Sequence, residues 1–455
     1  MTRWSTQSLT GWGRFPVIET TCARPEDRAA LIEAVDAARQ ASDEVLAHGM
    51  GRSYGDAALL SNGKVVLTRK LDRMLNFDES KGALTCEAGV TLEEIIDTFL
   101  PRGFFPPVVP GTQYVTVGGA IGCNIHGKNH HHDGCFGDHV TRMEVLLASG
   151  EVVTCSPTER EDLFWATIGG MGLTGVILNA TIALTPVASD AIELETIRVE
   201  NLDHFFEVSA ESGDFTHVVS WIDTVASGKN LGRGVFMRGR HAPAGTDVSR
   251  NSVDRLAGAI GKLANGKNFN SNLLLNRFTV RAFNEAYFRK EKKGLTQSQV
   301  HYKPFFFPLD AVDNWNYIYG PRGFLQYQLV VPTKEAVREA LTLVASSKEA
   351  SFLSVIKEFG DGKDHGGLSF PQAGITLAMD FPNTGKPLFE LFEKLDQLVL
   401  EAGGRIYLGK DARLPSRHVA AMYPDLDKWK QIRDKYDPEG VFSSDLARRL
   451  DLLNT

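Results

Sequence analysis

The stretch from Pro106 to Asn129 constrains the fold of this chain more than any other, because it crowds glycines, small residues and one histidine together. Its sequence is PPVVPGTQYVTVGGAIGCNIHGKN. Glycine has no Cβ, so peptide N–H groups beside it can approach a phosphate or a flat ring without collision. A loop with a purely structural role rarely needs so many glycines. We therefore predict direct backbone contact with a ligand at Gly111, Gly118, Gly119, Gly122 and Gly127.

A second loop of the same kind, HGMGRSYGD, runs from His48 to Asp56. It follows a predicted helix from Pro25 to Ala41 and a short connecting segment, EVLAHGM. Successive amides in such a loop form a concavity that binds anions, and a guanidinium adds positive charge. The loop therefore predicts a pyrophosphate cradle built from Gly49, Gly51, Arg52, Ser53 and Gly55.

A third glycine-rich segment, DLFWATIGGMGLTGVILNATIAL, extends from Asp162 to Leu184. Its Gly170, Gly172 and Gly175 match the letters GxGxxG of a nicotinamide-binding fingerprint. In that fingerprint the glycines follow a strand and open a helix, whereas here a helix-like DLFWAT precedes them and a strand-like VILNATIAL follows. The inverted order argues against nicotinamide binding. The strong signal is the combination of three glycine-rich loops, since any one of them is weak by itself.

Length and composition limit the classes of protein that this chain can represent. Its 455 residues exceed what one core usually supports, so we expect two domains. The five cysteines are an odd number, which indicates reduced thiols and a reducing compartment. The net charge of -7 predicts no general attraction to nucleic acid. With no apolar leader and no long apolar run, we expect neither an export signal nor a membrane span.

The hydrophobic periodicity predicts a mixed chain of helices and strands with a break after Leu184. Before the break, Thr91 and Glu94 form a capping-box pattern at the start of a helix, LEEIIDTFL. After it come longer alternating runs, such as HVVSWID, GFLQYQLVV, FLSVIKEF and ITLAMDF, which predict a sheet with helices on one face. One of these helices is expected from Lys386 to Ala402, and the tail LDKWKQIRDKY predicts another.

Motifs along the chain carry a family resemblance. The segments HGMGRSYGD, PGTQYVTVGGAIGCNIHGKN and DLFWATIGGMGLTGVI resemble the FAD-binding half of the vanillyl-alcohol-oxidase and p-cresol-methylhydroxylase type flavoproteins. Within that superfamily, LTGWGRFP, HGKNHH, GFLQYQLVVP, GKDAR and DPEGVFSSDLARRL are similar to the decaprenylphosphoryl-β-D-ribose 2-oxidases, the flavin subunits of polyprenyl-phosphoribose 2′-epimerases. The resemblance runs nearly end to end and is weakest between Ala242 and Lys303.

The resemblance implies both fold and cofactor. The fold is an α+β two-domain flavoprotein, with a p-cresol-methylhydroxylase type FAD-binding domain at residues 1–187 and an antiparallel-sheet substrate-binding domain, covered by helices, at residues 188–404. Residues 405–455 return to the FAD-binding domain. The FAD is expected to be non-covalent, because Asp56 stands where covalent relatives carry a flavin-linking histidine. Further cofactor contacts that the resemblance implies are Tyr54, Asp56, Thr116, Cys123, Asn124, His126, Lys128, Asn129, Gly172, Ile177 and Tyr407.

Oxidation of a secondary alcohol needs a hydride acceptor, a base for the hydroxyl proton and groups that hold the substrate. Flavin supplies the first. Lys410 is the first candidate for the base, because the resemblance puts it beside the flavin at the end of the strand-like RIYLG. A charged Lys410 would instead stabilise anionic reduced flavin, and a structural alternative is a salt bridge to Asp411 or Asp380. Tyr54 and His126 are the other candidates next to the flavin.

The resemblance also implies a substrate pocket in the second domain, lined by Trp221, Gln326, Gln328 and Lys357. An indole offers an apolar wall, glutamines hold sugar hydroxyls and a lysine meets a phosphate. Each of these side chains has an alternative role in sheet packing or on a solvated face. The FFFPLD segment, Phe305 to Asp310, has phenylalanines where relatives offer a tyrosine or histidine, so the resemblance does not determine pocket selectivity.

Two further features admit a second interpretation. Histidines between Cys123 and Cys135 have the short spacings of zinc ligands, but the flavin-type loops explain His126 without a metal, and we predict no metal site. The segment from Ser271 to Gly294 mixes Leu, Phe and Tyr with a late basic cluster. It is either a surface helix with a solvated end or a lid that meets a lipid-linked substrate at a membrane surface.

The leading hypothesis is FAD-dependent oxidation of the 2′-hydroxyl of a polyprenyl-phosphoryl-β-D-ribose to a 2′-keto intermediate of epimerisation to the arabinose form. The resemblance implies a lipid-linked phospho-sugar substrate, an NAD(P)H-dependent reductase as partner, and a cytoplasmic protein with peripheral contact to the inner membrane surface. An alditol or aldonolactone oxidase acting on a soluble sugar is the enzymatic alternative. A flavin- or metal-binding protein without catalysis is the alternative of another class.

Overall fold

The computed structural model describes residues 3–249, 275–351, 353–361 and 365–453. Within them, the amino-terminal part builds a four-stranded and a five-stranded sheet. Its strands are β1 (Trp4–Thr10), β2 (Val17–Ala23), β3 (Val45–His48), β4 (Lys64–Leu67), β5 (Met74–Asp78), β6 (Ala83–Glu87), β7 (Phe104–Phe105), β8 (Val140–Leu146), β9 (Val152–Cys155), β10 (Val176–Ala183) and β11 (Thr185–Pro186). Its helices are α1 (Arg28–Gln40), α2 (Leu92–Phe99), α3 (Val117–Gly122), α4 (His130–Asp133) and α5 (Glu161–Thr167).

The two amino-terminal sheets share a core around α1. The four-stranded sheet has the order β1-β2-β4-β3, and its strands β2 and β3 run parallel to β4. The five-stranded sheet is antiparallel, in the order β5-β6-β10-β8-β9. Leu31 and Val35 of α1 pack with Val66 of β4 and Leu178 of β10. This packing holds the loops that follow β3 and β6 in fixed positions.

Two local predictions for this part have different outcomes. The capping box between Thr91 and Glu94 is present at the start of α2, where the Glu94 N–H donates to Thr91 Oγ1 at 3.2 Å. The prediction that EVLAHGM is only a connection is wrong, because it contains β3, which pairs in parallel with β4. Burial of Val45 and Leu46, and not an alternating pattern, makes this segment a strand.

The second part is an eight-stranded antiparallel sheet in the order β15-β12-β14-β13-β17-β18-β16-β19. Its strands are β12 (Ala191–Val199), β13 (His217–Ile222), β14 (Gly234–His241), β15 (Leu295–His301), β16 (Phe324–Val331), β17 (Ser354–Phe359), β18 (Gly374–Pro382) and β19 (Arg405–Ile406). Its helices are α6 (Leu202–Ala210), α7 (Arg277–Lys290), α8 (Tyr302–Phe306), α9 (Lys334–Ser346) and α10 (Lys386–Glu401). Leu341 of α9 and Leu395 of α10 pack with Leu377 of the sheet, so helices cover one face, as predicted.

The carboxyl-terminal tail forms α11 (Val419–Met422), α12 (Leu426–Tyr436) and α13 (Asp445–Arg449) and contacts the amino-terminal part. The Trp429 indole N–H donates to Ala166 O at 2.9 Å, and the Ser443 N–H donates to Val45 O at 3.1 Å. The predicted domain boundaries remain predictions. Among the described helices, none combines the length and the apolar character that crossing a membrane requires.

Candidate active site

A cavity of about 840 Å³ lies between the glycine-rich loops and the face of the eight-stranded sheet that α9 and α10 leave uncovered. Its volume falls in the range of about 300–1,000 Å³ that is typical of cofactor and small-molecule sites. The loops form one wall, the sheet forms the other, and the segment from Pro304 to Trp315 lies along the edge. A ligand in this cavity is therefore held between backbone on one side and strand side chains on the other.

Strand alternation decides which side chains reach the cavity from the sheet. On β16, Gln326 and Gln328 line the cavity, while Tyr327 between them joins the core beneath the helices. Lys357 of β17 and Trp221 of β13 lie on the same wall. The structure thus brings the four predicted substrate-binding residues together; their binding role stays a prediction.

The same alternation brings Asp380 of β18 into the cavity wall, although the sequence suggested it only as a salt-bridge partner of Lys410. Its carboxylate accepts a hydrogen bond from the amide of Gln326, which stands opposite it on β16. Burial raises the pKa of Asp380, while the Gln326 hydrogen bond and the Lys410 charge oppose that rise. The signal that could have revealed it is a single acidic residue in the apolar run ITLAMDF.

Lys410 reaches the cavity from the turn that follows β19, and its Nζ lies 3.8 Å from the centre of the Tyr54 ring. Within the described ranges it forms no ion pair with Asp380 or Asp411, and Asp411 pairs instead with Arg449 at 2.8 Å. Desolvation lowers the pKa of Lys410, and the Asp380 carboxylate opposes this shift. A lysine in such surroundings is able to act as a base near neutral pH.

His126 links the loop wall to the sheet wall. Its Nδ1 lies 2.9 Å from Lys357 Nζ, which also donates to Gly127 O at 2.7 Å, and its Nε2 lies 3.0 Å from the Gln328 amide. Burial, reinforced by the Lys357 charge, lowers the pKa of His126 far below its ordinary value, so the ring is neutral. The Gln328 atom facing Nε2 is the amide nitrogen, so both neighbours of the ring are hydrogen-bond donors. A neutral imidazole accepts at one ring nitrogen only, and its tautomer therefore determines which of the two contacts the ring accepts.

The loop wall presents backbone to the cavity because several of its residues are glycines without a side chain. A Cβ at Gly111 or Gly172 would meet no atom within 4 Å. A Cβ at Gly49 would meet Thr116 Oγ1 at 2.4 Å, which is the hydroxyl that accepts from the Gly119 N–H. The chain's backbone therefore fits a flat ring and a pyrophosphate. The predicted cofactor contacts that line the cavity are Gly49, Gly51, Arg52, Ser53, Tyr54, Gly111, Thr116, Gly118, Gly119, Gly122, Cys123, His126, Gly127, Lys128, Gly172, Ile177 and Tyr407.

Four predicted cofactor contacts are not part of this lining, namely Gly55, Asp56, Asn124 and Asn129. Gly55 packs against backbone, where a Cβ would come within 1.9 Å of Asp411 O. Asp56 accepts two hydrogen bonds from Arg449, both at 2.8 Å. The two asparagines donate to oxygens of neighbouring loops, at 2.8 Å and 2.7 Å. In this structure all four hold the loops in place from behind the wall.

A conspicuous motif near the amino terminus, LTGWGRFP, supports the second glycine-rich loop. The Trp12 N–H donates to Ser53 O at 2.7 Å, and the Trp12 ring stacks 4.0 Å beneath the Arg52 guanidinium. Asp310, whose pKa burial raises to about 6, anchors the opposite side by accepting from the Gln113 N–H at 2.8 Å. Sequence reasoning did not assign Trp12 or Asp310 to the site, because their contacts lie far away along the chain.

The histidines between Cys123 and Cys135 point in different directions. His131 Nε2 lies 2.8 Å from Phe215 O, whereas His126 faces the cavity. In the parts of the chain that the structure describes, no three His, Cys, Asp or Glu side chains group as metal ligands.

Comparisons with known proteins place the chain among flavoenzymes. A family model described as an FAD binding domain matches residues 21–156, and one described as D-arabinono-1,4-lactone oxidase matches residues 375–450. The chain is 40% identical to the decaprenylphosphoryl-β-D-ribose oxidase of Mycolicibacterium smegmatis, over 99% of this chain and 98% of that relative. It is 33% identical to an uncharacterized protein of Streptomyces coelicolor, over 80% of this chain and 100% of the relative. It is 31% identical to the L-gulonolactone oxidase of Scyliorhinus torazame, over 33% of this chain and 34% of that enzyme.

The match to the mycobacterial oxidase spans both cavity walls, and the FAD-binding model covers the loops from Gly49 to Asn129. The predicted α+β flavoprotein fold, the FAD cofactor and the enzymatic character are thereby confirmed. This chain belongs to the decaprenylphosphoryl-β-D-ribose oxidase family of FAD-dependent oxidoreductases.

Proposed function

We propose that this chain oxidises the 2′-hydroxyl of a polyprenyl-phosphoryl-β-D-ribose to the 2′-ketone, the intermediate of epimerisation to the arabinose form. The main observation behind this proposal is that Lys357 and Lys410 lie in one cavity facing the glycine-rich loops, and that Lys357, within the described residues, forms no ion pair with a carboxylate. A buried cation without a counter-charge favours an anionic ligand, and the desolvated Lys410 offers a base. The full-length similarity to an oxidase of this substrate class supports the same assignment.

Lys410 is the proposed base. When bound, non-covalent FAD supplies the acceptor of the hydride, which leaves the protein to handle the hydroxyl proton. Only the neutral amine accepts that proton, so the lowered pKa of Lys410 supports the role. Burial raises the pKa of Tyr54 well above its ordinary value, so its phenol remains a hydrogen-bond donor, while its ring stabilises the ammonium that forms. A permanently charged Lys410 beside reduced flavin is the rival role.

The sheet wall is proposed to hold the sugar and its phosphate. Gln326 and Gln328 present amides to the sugar hydroxyls, at positions two residues apart on one strand face. Lys357 uses two of its three donors on His126 and Gly127, so the third is available for a phosphate oxygen. Trp221, packed edge to face on Tyr287 at 4.7 Å, supplies an apolar wall for the first isoprene unit.

The test is the visible spectrum of the FAD-loaded protein under anaerobic conditions. Addition of a polyprenyl-phosphoryl ribose should bleach the flavin absorbance within the mixing time of a manual experiment. The same lipid phosphate carrying a 2′-deoxy sugar is the matched control and should leave the spectrum unchanged. Bleaching by free alditols or aldonolactones, with no response to the lipid-linked sugar, would reject the proposal.

A second candidate is an aldonolactone oxidase acting on a soluble sugar. The observation in its favour is the match of residues 375–450 to the D-arabinono-1,4-lactone oxidase model, a range that contains both Asp380 and Lys410. The two candidates differ in whether the phosphate matters. An aldonolactone oxidase should be indifferent to replacement of Lys357 by methionine, whereas a phosphate-binding enzyme should lose affinity for its substrate.

The partner and the location follow from the proposed chemistry. A 2′-ketone is converted to the epimeric alcohol by hydride delivery to the opposite face, so we propose an NAD(P)H-dependent reductase as the next enzyme. We also propose a cytoplasmic protein that touches the inner membrane surface, because its substrate carries a polyprenyl chain. Phe278 on α7 and Tyr317 are 89% and 58% exposed and suit such contact. Vesicle flotation with and without Phe278→Ser tests it, and equal flotation would reject the contact.

A further inference from the structure

Asp380 is a carboxylate on the cavity wall to which the fold gives no ion pair. It is 2% exposed on β18, and among the described residues no lysine or arginine forms a salt bridge with it. Ala378, two residues earlier on the same face of the strand, and Phe381, the next residue along it, are both apolar. Burying a carboxylate costs free energy unless a charge or hydrogen bonds compensate it. Packing alone would therefore favour an apolar residue at this position.

Lys410 is the cation nearest in role to Asp380, because both line the same cavity, where Lys410 Nζ lies 3.8 Å from the centre of the Tyr54 ring and Gln326 holds the Asp380 carboxylate. Among the described residues, Asp380 is the carboxylate whose negative charge raises the pKa of Lys410. The positive charge of Lys410 in turn lowers the pKa of Asp380. Lys357 is a second cation in the same cavity and repels a charged Lys410. The titratable groups that face this pair from other elements are Tyr54, Cys123, His126, Tyr319 and Lys357.

We propose, resting on the function proposed above, that Asp380 is a positioning residue whose carboxylate, held on the same cavity wall, serves as the counter-charge of Lys410 during oxidation. In the step it serves, the proton of the sugar hydroxyl moves to the neutral Lys410 amine, and the resulting ammonium gains Asp380 as its counter-charge. Gln326 holds the carboxylate in place by donating to it from the neighbouring strand. Without Asp380, no carboxylate of the described residues would act on the new ammonium.

The proposal is tested by the titration of Lys410 itself. The FAD-loaded full-length protein is treated with trace acetic anhydride over a range of pH, and acetylation of the Lys410 peptide is quantified by mass spectrometry. Desolvation already lowers the pKa of Lys410, and removing the opposing carboxylate lowers it further. In Asp380→Asn, the pH midpoint of Lys410 acetylation should fall by about one pH unit or more. Below both midpoints, acetylation should therefore be about tenfold faster than in the wild type.

Asp310→Asn is the matched control, because Asp310 is another carboxylate of the same cavity and is not among the charges that act on Lys410. It should leave the Lys410 midpoint where the wild type has it. An unchanged midpoint in Asp380→Asn, or an equal shift in both variants, would overturn the inference. Asp380→Ser gives the same measurement if the asparagine variant does not fold with bound flavin.

A single-turnover pH profile adds a readout that a merely structural role would not move. If Lys410 is the base, the acid limb of the flavin-reduction rate should shift to lower pH in Asp380→Asn, together with the acetylation midpoint. Acetylation needs no substrate, so it tests the effect of Asp380 on Lys410 independently of the proposed function. A wild type that the lipid-linked sugar fails to reduce refutes the function, whereas a shifted midpoint without a shifted acid limb refutes the role of Asp380 in oxidation.

Discussion

The two walls of the cavity recognise a ligand by different means. The loop wall presents backbone, and its character depends on the absence of side chains at positions such as Gly122 and Gly172. The sheet wall presents alternate side chains of β16, β17 and β18, among them Gln328, Lys357 and Asp380. A backbone wall recognises a ligand by shape, so an added side chain occupies the space of the ligand, whereas a side-chain wall recognises it by charge and hydrogen bonding. Substitutions on the two walls should therefore fail in different ways.

The largest effect is expected for Lys410→Met on the side-chain wall. Loss of a general base should slow anaerobic flavin reduction by about a hundredfold to ten-thousandfold, while FAD content stays that of the wild type. Stopped-flow absorbance measures the rate. Lys428→Met, an exposed lysine of α12, is the control. If Lys410→Met lost FAD but kept the wild-type rate of flavin reduction per bound flavin, the result would contradict the different roles of the two walls.

A glycine that lies behind the loop wall should affect stability and not the cofactor. In Gly55→Ala the new Cβ would collide with Asp411 O, so the free energy of unfolding of the apoprotein should drop by about 3 kcal/mol. Urea denaturation of the FAD-free protein measures the change. Gly213→Ala, at an exposed glycine with no atom near its Cβ position, should be neutral. A stable Gly55→Ala apoprotein that fails to bind FAD would contradict this division.

A glycine in the loop wall itself should affect the cofactor and not the fold. In α3, a Cβ at Gly122 would meet only Gly172 N, at an ordinary 3.8 Å, so the larger side chain of Gly122→Val points into the cavity. We expect FAD affinity to fall by about tenfold to a hundredfold, with an unchanged unfolding midpoint of the apoprotein. Fluorescence titration with FAD measures the affinity, and Gly213→Val is the matched control. Wild-type affinity would remove this glycine from the cofactor wall.

The smallest effect is expected for the phosphate contact. Burial lowers the pKa of Lys357 to about 7, so its ammonium is lost as the pH rises through that value and kcat/KM for the phosphorylated substrate should decline. Lys357→Met should lower kcat/KM by about tenfold below pH 7 and remove that pH dependence. Steady-state kinetics across the pH range measures both. A pH profile that survives the substitution would assign the titration to another group.

Local patterns predicted much of the fold. The capping box at Thr91 lies within one helical turn, and the alternation of GFLQYQLVV predicted a strand of the sheet, which is β16. They succeed because both depend on neighbours close in the chain. The prediction for EVLAHGM was wrong because this segment becomes a strand only through its pairing with β4, which is not a neighbour in the chain. Gly55 was predicted to contact the cofactor for a similar reason, because the sequence of its loop does not show that Gly55 packs against Asp411.

The sequence by itself determined that the chain has glycine-rich loops and strands of alternating side chains, because steric freedom at glycine and the two-residue period of a strand are properties of the local chain. Only the tertiary structure decided which groups share one space. It brings Tyr54, Asp380 and Lys410 together from distant parts of the chain. The protonation of a lysine depends on desolvation and on charges a few ångströms away, and those distances exist only once the two parts of the molecule have packed.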